Sequence, residues 1–172
     1  MSNQKTVPMS APAAAAIASC AFAVPLALSI SSTPSPNHPR TMFWYLSLRK
    51  PSFKPPDWVL PAAWSVIEAA LAVAAYRLLR AAPSAPRSKA LALWGWNIAM
   101  IGSWNRYFFK WRNLPLSTVA AAGLVATSVA FVNEAKHVDK PASRAGLPLV
   151  GWVAFATVLT ATIWHLNSRK SR

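Results

Sequence analysis

Nine tryptophans, a single glutamate inside an otherwise uncharged apolar run, and three cations set among prolines are the residues of this 172-residue sequence whose types and spacing could do chemistry. Glu68 is the most informative of them. A carboxylate at hydrocarbon depth is costly unless it is paired, protonated or put to use. Trp64 precedes it by four residues and so shares its helical face. Asn97, Asn105 and Arg106 are the candidate partners. Two roles stay open: a hydrogen-bond node joining two helices, or direct contact with a ligand or a proton. Trp152, Ala156, Leu159 and Ile163 form one helical stripe, and Trp104, Phe108 and Trp111 form another. Such stripes pack cores, or they wall an aromatic cavity between helices where small residues such as Gly102, Gly151 and Ala156 leave room. Trp44, Trp58, Trp64, Trp111 and Trp164 fall near the ends of apolar runs, where an interfacial aromatic belt is the alternative reading. Catalytic and metal patterns are thin. His38, His137 and His165 are too far apart for a helical metal pair and read as surface residues rather than haem ligands. No nucleophile elbow or phosphate-binding glycine loop occurs, and the chain has four acids in all. No metal site, no required cofactor and no enzyme activity is therefore expected.

The elements that must position these residues are membrane helices. Hydrophobic residues make up 54% of the chain and charged ones only 13%, about half the usual soluble share. Five apolar stretches are long enough to span about 30 Å of hydrocarbon: 11–30, 58–79, 90–109, 116–132 and 146–166. They predict an all-α bundle of five transmembrane helices forming one domain over 11–167, between an N-terminal tail (1–10) and a basic C-terminal tail (168–172). Connectors rich in proline, serine and charge, "RAAPSAPRSK", "KWRNLP" and "NEAKHVDKPASR", read as loops. The first stretch reads as a retained helix, with a cleaved signal segment ending near "IASC" as the alternative. The net charge of +14 sits in short clusters between apolar runs, which fits anionic head groups and not nucleic acid. Lys and Arg divide almost evenly between the two sides, with a slight excess that puts the C terminus in the cytoplasm. Cys20 is alone, which excludes an intramolecular disulfide.

One connector stands apart. "WYLSLRKPSFKPPDW", from Trp44 to Trp58, is too rich in proline for a strand or a helix interior. Its fixed backbone loses little entropy on ordering. It is expected to hold its shape over the mouth of the bundle, with Asp57 capping the second helix and Pro61 harmless in its first turn.

Extended as far as Glu68, this stretch resembles the first-loop signature of the translocator protein family (TspO/MBR, the tryptophan-rich sensory proteins or peripheral benzodiazepine receptor type). The pattern is carried by Trp44, Tyr45, Leu48, Lys50, Pro51, Pro55, Pro56, Trp58, Trp64 and Ser65. The last span is similar to the family's fifth-helix motif at Pro148, Trp152, Phe155, Ala156, Leu159, Ile163, Trp164, Leu166 and Asn167. "SWNRYFF" resembles a third-helix motif through Trp104, Phe108 and Phe109. The departures are Glu68 for a tyrosine, Asn97 for a glutamine, Met100 and Ile101 for Leu-Asn, and Thr160 for an asparagine. The family's cholesterol motif has no counterpart here.

The resemblance implies a divergent member that binds porphyrin or haem in an aromatic pocket capped by the first loop, and through it transports or senses tetrapyrroles. A light-dependent porphyrin-degrading activity, and a regulatory or structural membrane subunit with a drifted ligand site, are the alternatives. It also implies homodimers. The pocket would be lined by Trp44, Pro51, Trp58, Trp64, Glu68, Trp104, Phe108, Trp152, Phe155 and Ala156. The charge of Arg49, Lys50 and Lys54 makes them candidates to meet the propionates.

Overall fold

The computed structural model describes residues 8–35 and 37–168. Most of both tails, with Lys5, Arg169, Lys170 and Arg172, lies outside the described residues. The described residues form seven α-helices and one π-helical turn: α1 (Ala11–Ala18), α2 (Cys20–Ser29), α3 (Pro39–Ser47), α4 (Val59–Arg80), α5 (Ala85–Asn105) with the π-turn Arg106–Lys110, α6 (Leu114–Lys136) and α7 (Lys140–Ser168). No strand occurs among the described residues.

Helix is the only regular structure these runs can adopt in lipid, because each backbone group must find its partner within the segment. Among the described residues four segments are long and apolar enough to cross a membrane: Ala11–Ser29, Val59–Arg80, Leu114–Lys136 and Lys140–Ser168. Less than a third of each is buried inside the protein, so the remaining apolar surface needs a lipid environment. Val66, Val119 and Val158 are among the large apolar side chains left exposed. The third expected span is helical as α5 but is not among these four.

The boundaries differ from expectation in an instructive way. The first span is interrupted at Ser19, and Pro25 inside α2 withholds the N–H that Ala21 C=O would accept. The other helices overrun their apolar cores. Residues expected in connectors begin α5, α6 and α7, because Pro86, Pro115 and Pro141 sit in the first turn, where a missing N–H costs nothing. Ser84 and Asn113 supply caps, accepting from Arg87 N–H (3.3 Å) and Leu116 N–H (2.9 Å). The stretch opening at Trp44 is not free of helix, since Trp44–Ser47 closes α3.

The long rods close a ring: α1–α2 against α4 and α5, α5 against α6, α6 against α7, and α7 against α4. Two glycines permit the closest approaches. A Cβ on Gly146 of α7 would stand 2.7 Å from a ring carbon of Phe131 in α6, and one on Gly102 of α5 would stand 2.7 Å from Leu28 Cβ in α2. Gly102 therefore opens no cavity. The core at this ring is built from Leu71, Leu78, Ile98, Phe131, Leu149 and Val153, all essentially inaccessible.

Candidate functional site

The first loop, the start of α4, the π-turn and the C-terminal half of α7 meet at one end of the bundle, and two aromatic clusters form there. In the first, Trp64 of α4 stands edge-on to Trp152 of α7 (centroids 6.3 Å), Trp152 lies 5.5 Å from Phe155, and Phe53 of the loop meets Phe155 at 6.4 Å. In the second, Trp104 stacks on Phe108 at 4.9 Å, with Trp44 edge-on to Phe108 at 5.7 Å and Tyr45 edge-on to Phe109 at 5.6 Å. Trp104 Nε1–H donates to Ser117 C=O (2.9 Å), which satisfies the one polar atom of the indole. Leu159 and Ile163 of α7 pack against the second cluster, so α7 carries both.

The π-turn explains the second cluster. Trp111 N–H donates to Arg106 C=O (2.8 Å), five residues back, which inserts one residue into the helical register. Phe108 is buried and Phe109 joins it, while Trp111 is 58% exposed. The expected Trp104–Phe108–Trp111 stripe is thereby broken. Arg112 closes the turn with φ of 52°, an unfavourable region for a residue with a Cβ. Its guanidinium donates to Arg40 C=O (3.3 Å) and lies over the Trp44 ring at 5.5 Å.

The loop is held by its own cations. Lys50 Nζ donates to Tyr45 C=O (2.5 Å) and Leu48 C=O (3.3 Å), and sits over the Tyr45 ring at 4.3 Å. Lys54 Nζ donates to Pro55 C=O (3.1 Å) and pairs with Asp57 at 2.5 Å. Burial, with Lys54 nearby, pulls the Lys50 ammonium below its ordinary value. Burial is also the largest single effect on Lys54 and acts in the same direction, but the hydrogen bond to Asp57 and the nearby Tyr45 and Asp57 together outweigh it and the net shift is upward. Burial also raises the Tyr45 phenol. The expected Asp57 cap is absent: Asp57 turns to Lys54, and the first turn of α4 has no side-chain cap. A clasp fixes the loop to α7: Asn167 Oδ1 accepts from Arg49 N–H (3.0 Å) and Asn167 Nδ2 donates to Arg49 C=O (2.9 Å).

Of the expected site residues, the clusters gather Trp44, Trp64, Trp104, Phe108, Trp152 and Phe155. Ala156 and Pro51 are half-buried beside them in sequence, and the Ala156 carbonyl accepts from Thr160 Oγ1 (2.8 Å). Trp58 is 72% exposed and joins neither cluster. Glu68 is half-buried, and no hydrogen bond or ion pair reaches it from the described residues. Asn97 instead accepts from Thr127 Oγ1 of α6 (2.6 Å), and its Nδ2 is buried without a partner. Of the three candidate cations, Lys50 and Lys54 are consumed within the loop, and Arg49 is exposed. Phe53 and Arg112 are site residues that the sequence reading misses, and Phe109 and Asn167 enter it only as motif positions without a role. Phe53 had a signal, an aromatic between two prolines of a rigid loop; the clasp had only the motif position of Asn167, and its partner could not be read because the two positions are 118 apart.

The clusters close on themselves, and nearby an open apolar groove of about 450 Å³ lies between α4 and α7, lined by residues including Ala63, Val66, Gly151 and Trp152. The arrangement offers flat π-faces and exposed cations rather than nucleophiles or metal ligands. Among the described residues no group of His, Cys, Asp and Glu could hold a metal ion.

Apolar helices of this length carrying an indole-rich end define an α-helical integral membrane protein. Its sequence matches the TspO/MBR family over residues 18–165, and the chain belongs to that family. It is 32% identical over 129 residues to protein CrtK of Rhodobacter capsulatus, covering 72% of this chain and 78% of that one. It is 29% identical over 158 residues to the tryptophan-rich protein TspO of Chlorobaculum tepidum, covering 88% and 97%. It is 29% identical over 137 residues to the translocator protein of Homo sapiens, covering 76% and 78%.

Proposed function

We propose that the protein binds a planar tetrapyrrole, a porphyrin or haem, between the first loop and α7, with α5 completing five transmembrane helices. Transport or sensing follows from that binding, in keeping with the translocator name of a relative. The observation that carries the reading is the contact of Phe53 in the loop with Phe155, in line with Trp152 and Trp64. Phe53 and Phe155 meet across the junction of loop and bundle, and Trp64 and Trp152 continue the row into the core. Parting Phe53 from Phe155 exchanges ring-on-ring contacts for stacking on a macrocycle, at little net cost in aromatic burial. Arg49 is then the cation for a propionate, since its side chain is exposed while Lys50 and Lys54 are engaged. A homodimer through the apolar helix faces is part of the proposal.

Titration of the purified protein with protoporphyrin IX, followed by tryptophan quenching, tests it. Saturable quenching is expected in the wild type and in Trp96→Phe, whose native side chain is 57% exposed, and weaker binding in Trp152→Ala. A titration that does not saturate, or one unchanged by Trp152→Ala, defeats the proposal.

A further inference from the structure

At the end of the bundle away from the loop, α4 finishes at Arg80 and α7 begins at Lys140. A cleft of about 270 Å³ opens there, lined by Tyr76, Arg77, Arg80, Ala81 and Asp139. Basic side chains near a helix end can be occupied in capping its last carbonyls. Here that work is done from α5: Arg87 Nε–H donates to Leu78 C=O (2.8 Å) and Nη2–H to Leu79 C=O (3.1 Å). Arg77 and Arg80 are left for other uses. Arg77 makes a two-pronged pair with Asp139, Nε to Oδ1 at 2.8 Å and Nη2 to Oδ2 at 3.0 Å. Arg80 Nη1 donates to Met9 C=O (2.7 Å). A guanidinium carries five N–H donors, so most of those on both residues have no partner among the described residues.

The one acid in the cleft does not oppose an anion there. Asp139 has both oxygens engaged by Arg77, and Oδ1 also accepts from Ala142 N–H (2.7 Å) in the first turn of α7. The cleft is thus left with the charge of Arg80 and unused fork donors on two guanidinium groups, a geometry that suits phosphate oxygens. Its depth is also telling. Arg77 and Arg80 lie in the last turn of a segment apolar enough to cross the membrane, and Tyr76 beside them is 37% exposed, as an interfacial anchor would be.

We infer that this cleft is a binding site for the phosphate head group of an anionic phospholipid, held by Arg77 and Arg80, with Tyr76 along the glycerol region. It is independent of the tetrapyrrole site, being at the other end of α4.

The test uses the full chain in nanodiscs of phosphatidylcholine, with and without a minority of phosphatidylglycerol, and reads retained lipid by native mass spectrometry alongside the thermal midpoint. Wild type is expected to retain phosphatidylglycerol over phosphatidylcholine. Loss of one charge-assisted fork should lower that preference about tenfold in Arg80→Gln, with partial recovery in Arg80→Lys and no change in Lys110→Gln at the loop end. If Arg80→Gln does not assemble, Tyr76→Ala leaves both cations in place and should also weaken retention. Equal retention of the two lipids by wild type, or undiminished preference in Arg80→Gln and Tyr76→Ala, overturns the site. Stabilisation by inorganic phosphate as large as that by phosphatidylglycerol overturns the lipid assignment.

Discussion

Replacing Asn167 by alanine should release the first loop while leaving the bundle intact. The side chain makes two hydrogen bonds to the backbone of Arg49, at 3.0 and 2.9 Å, and a third to Ile163 within its own helix. Only the first two hold the loop. Each is worth about 0.5–1.5 kcal/mol net, and the partly exposed site puts the pair in the lower half of the combined range, about 1–2 kcal/mol. A loss of that size raises the open population about 5- to 30-fold. Hydrogen exchange at the Arg49 amide reads it directly, since that N–H is the clasp's donor. Exchange there should accelerate by that factor in Asn167→Ala. Asn167→Asp, which keeps an acceptor and loses the donor, should fall between. Amides in the second half of α6, such as Phe131 in the core of the bundle, serve as the internal reference. Unchanged exchange at Arg49 in Asn167→Ala would refute the idea that this residue latches the loop.

Gly146→Val should cost about 1–3 kcal/mol, as overpacking does, because its Cβ would meet Phe131 and Val132; Gly151→Ala, with open space around it, should be neutral or slightly stabilising in the same detergent melts. Trp104→Phe keeps the stack on Phe108 but removes the indole hydrogen bond to Ser117 C=O, which keeps its partner within α6, so a loss of about 1 kcal/mol is expected by thermal unfolding. The hydrogen bonds from Arg77 hold the Asp139 carboxyl below its ordinary value, against a smaller opposing effect of burial. A depressed carboxylate contributes stability that is complete above its unfolded value and is lost as pH falls through the folded one. Acid melts should therefore show a loss below the ordinary carboxylate range that is absent in Asp139→Asn.

The spans are legible in the sequence because hydrocarbon leaves the backbone a single solution, and hydropathy reads the solvent directly. Helix ends are less so. Pro86, Pro115 and Pro141 read as loop punctuation although each also marks a helix start, and hydropathy trims the charged turns beyond the membrane. At the site, Trp64 and Trp152 can be found from spacing on two helices, with Trp104 and Phe108 on a third, while Phe155 enters only through the family motif. Trp111 cannot be placed that way, because a π-turn is invisible to a 3.6-residue period. Glu68 shows the limit of pairing by composition: Asn97 is a sound partner by depth but faces α6, where Thr127 meets it.

The π-turn at Arg106–Lys110 also bears on how this chain tolerates changes of length. Removing one residue from an ordinary helix swings everything beyond it by about 100°. Here a deletion has a surplus residue to absorb it: the bulge would relax to a regular helix, leaving Trp111 and all that follows in place while the rings within the turn re-register. The wide turn is then a stored insertion, and relatives one residue shorter at this point would keep the bundle but present a different ring beneath the loop.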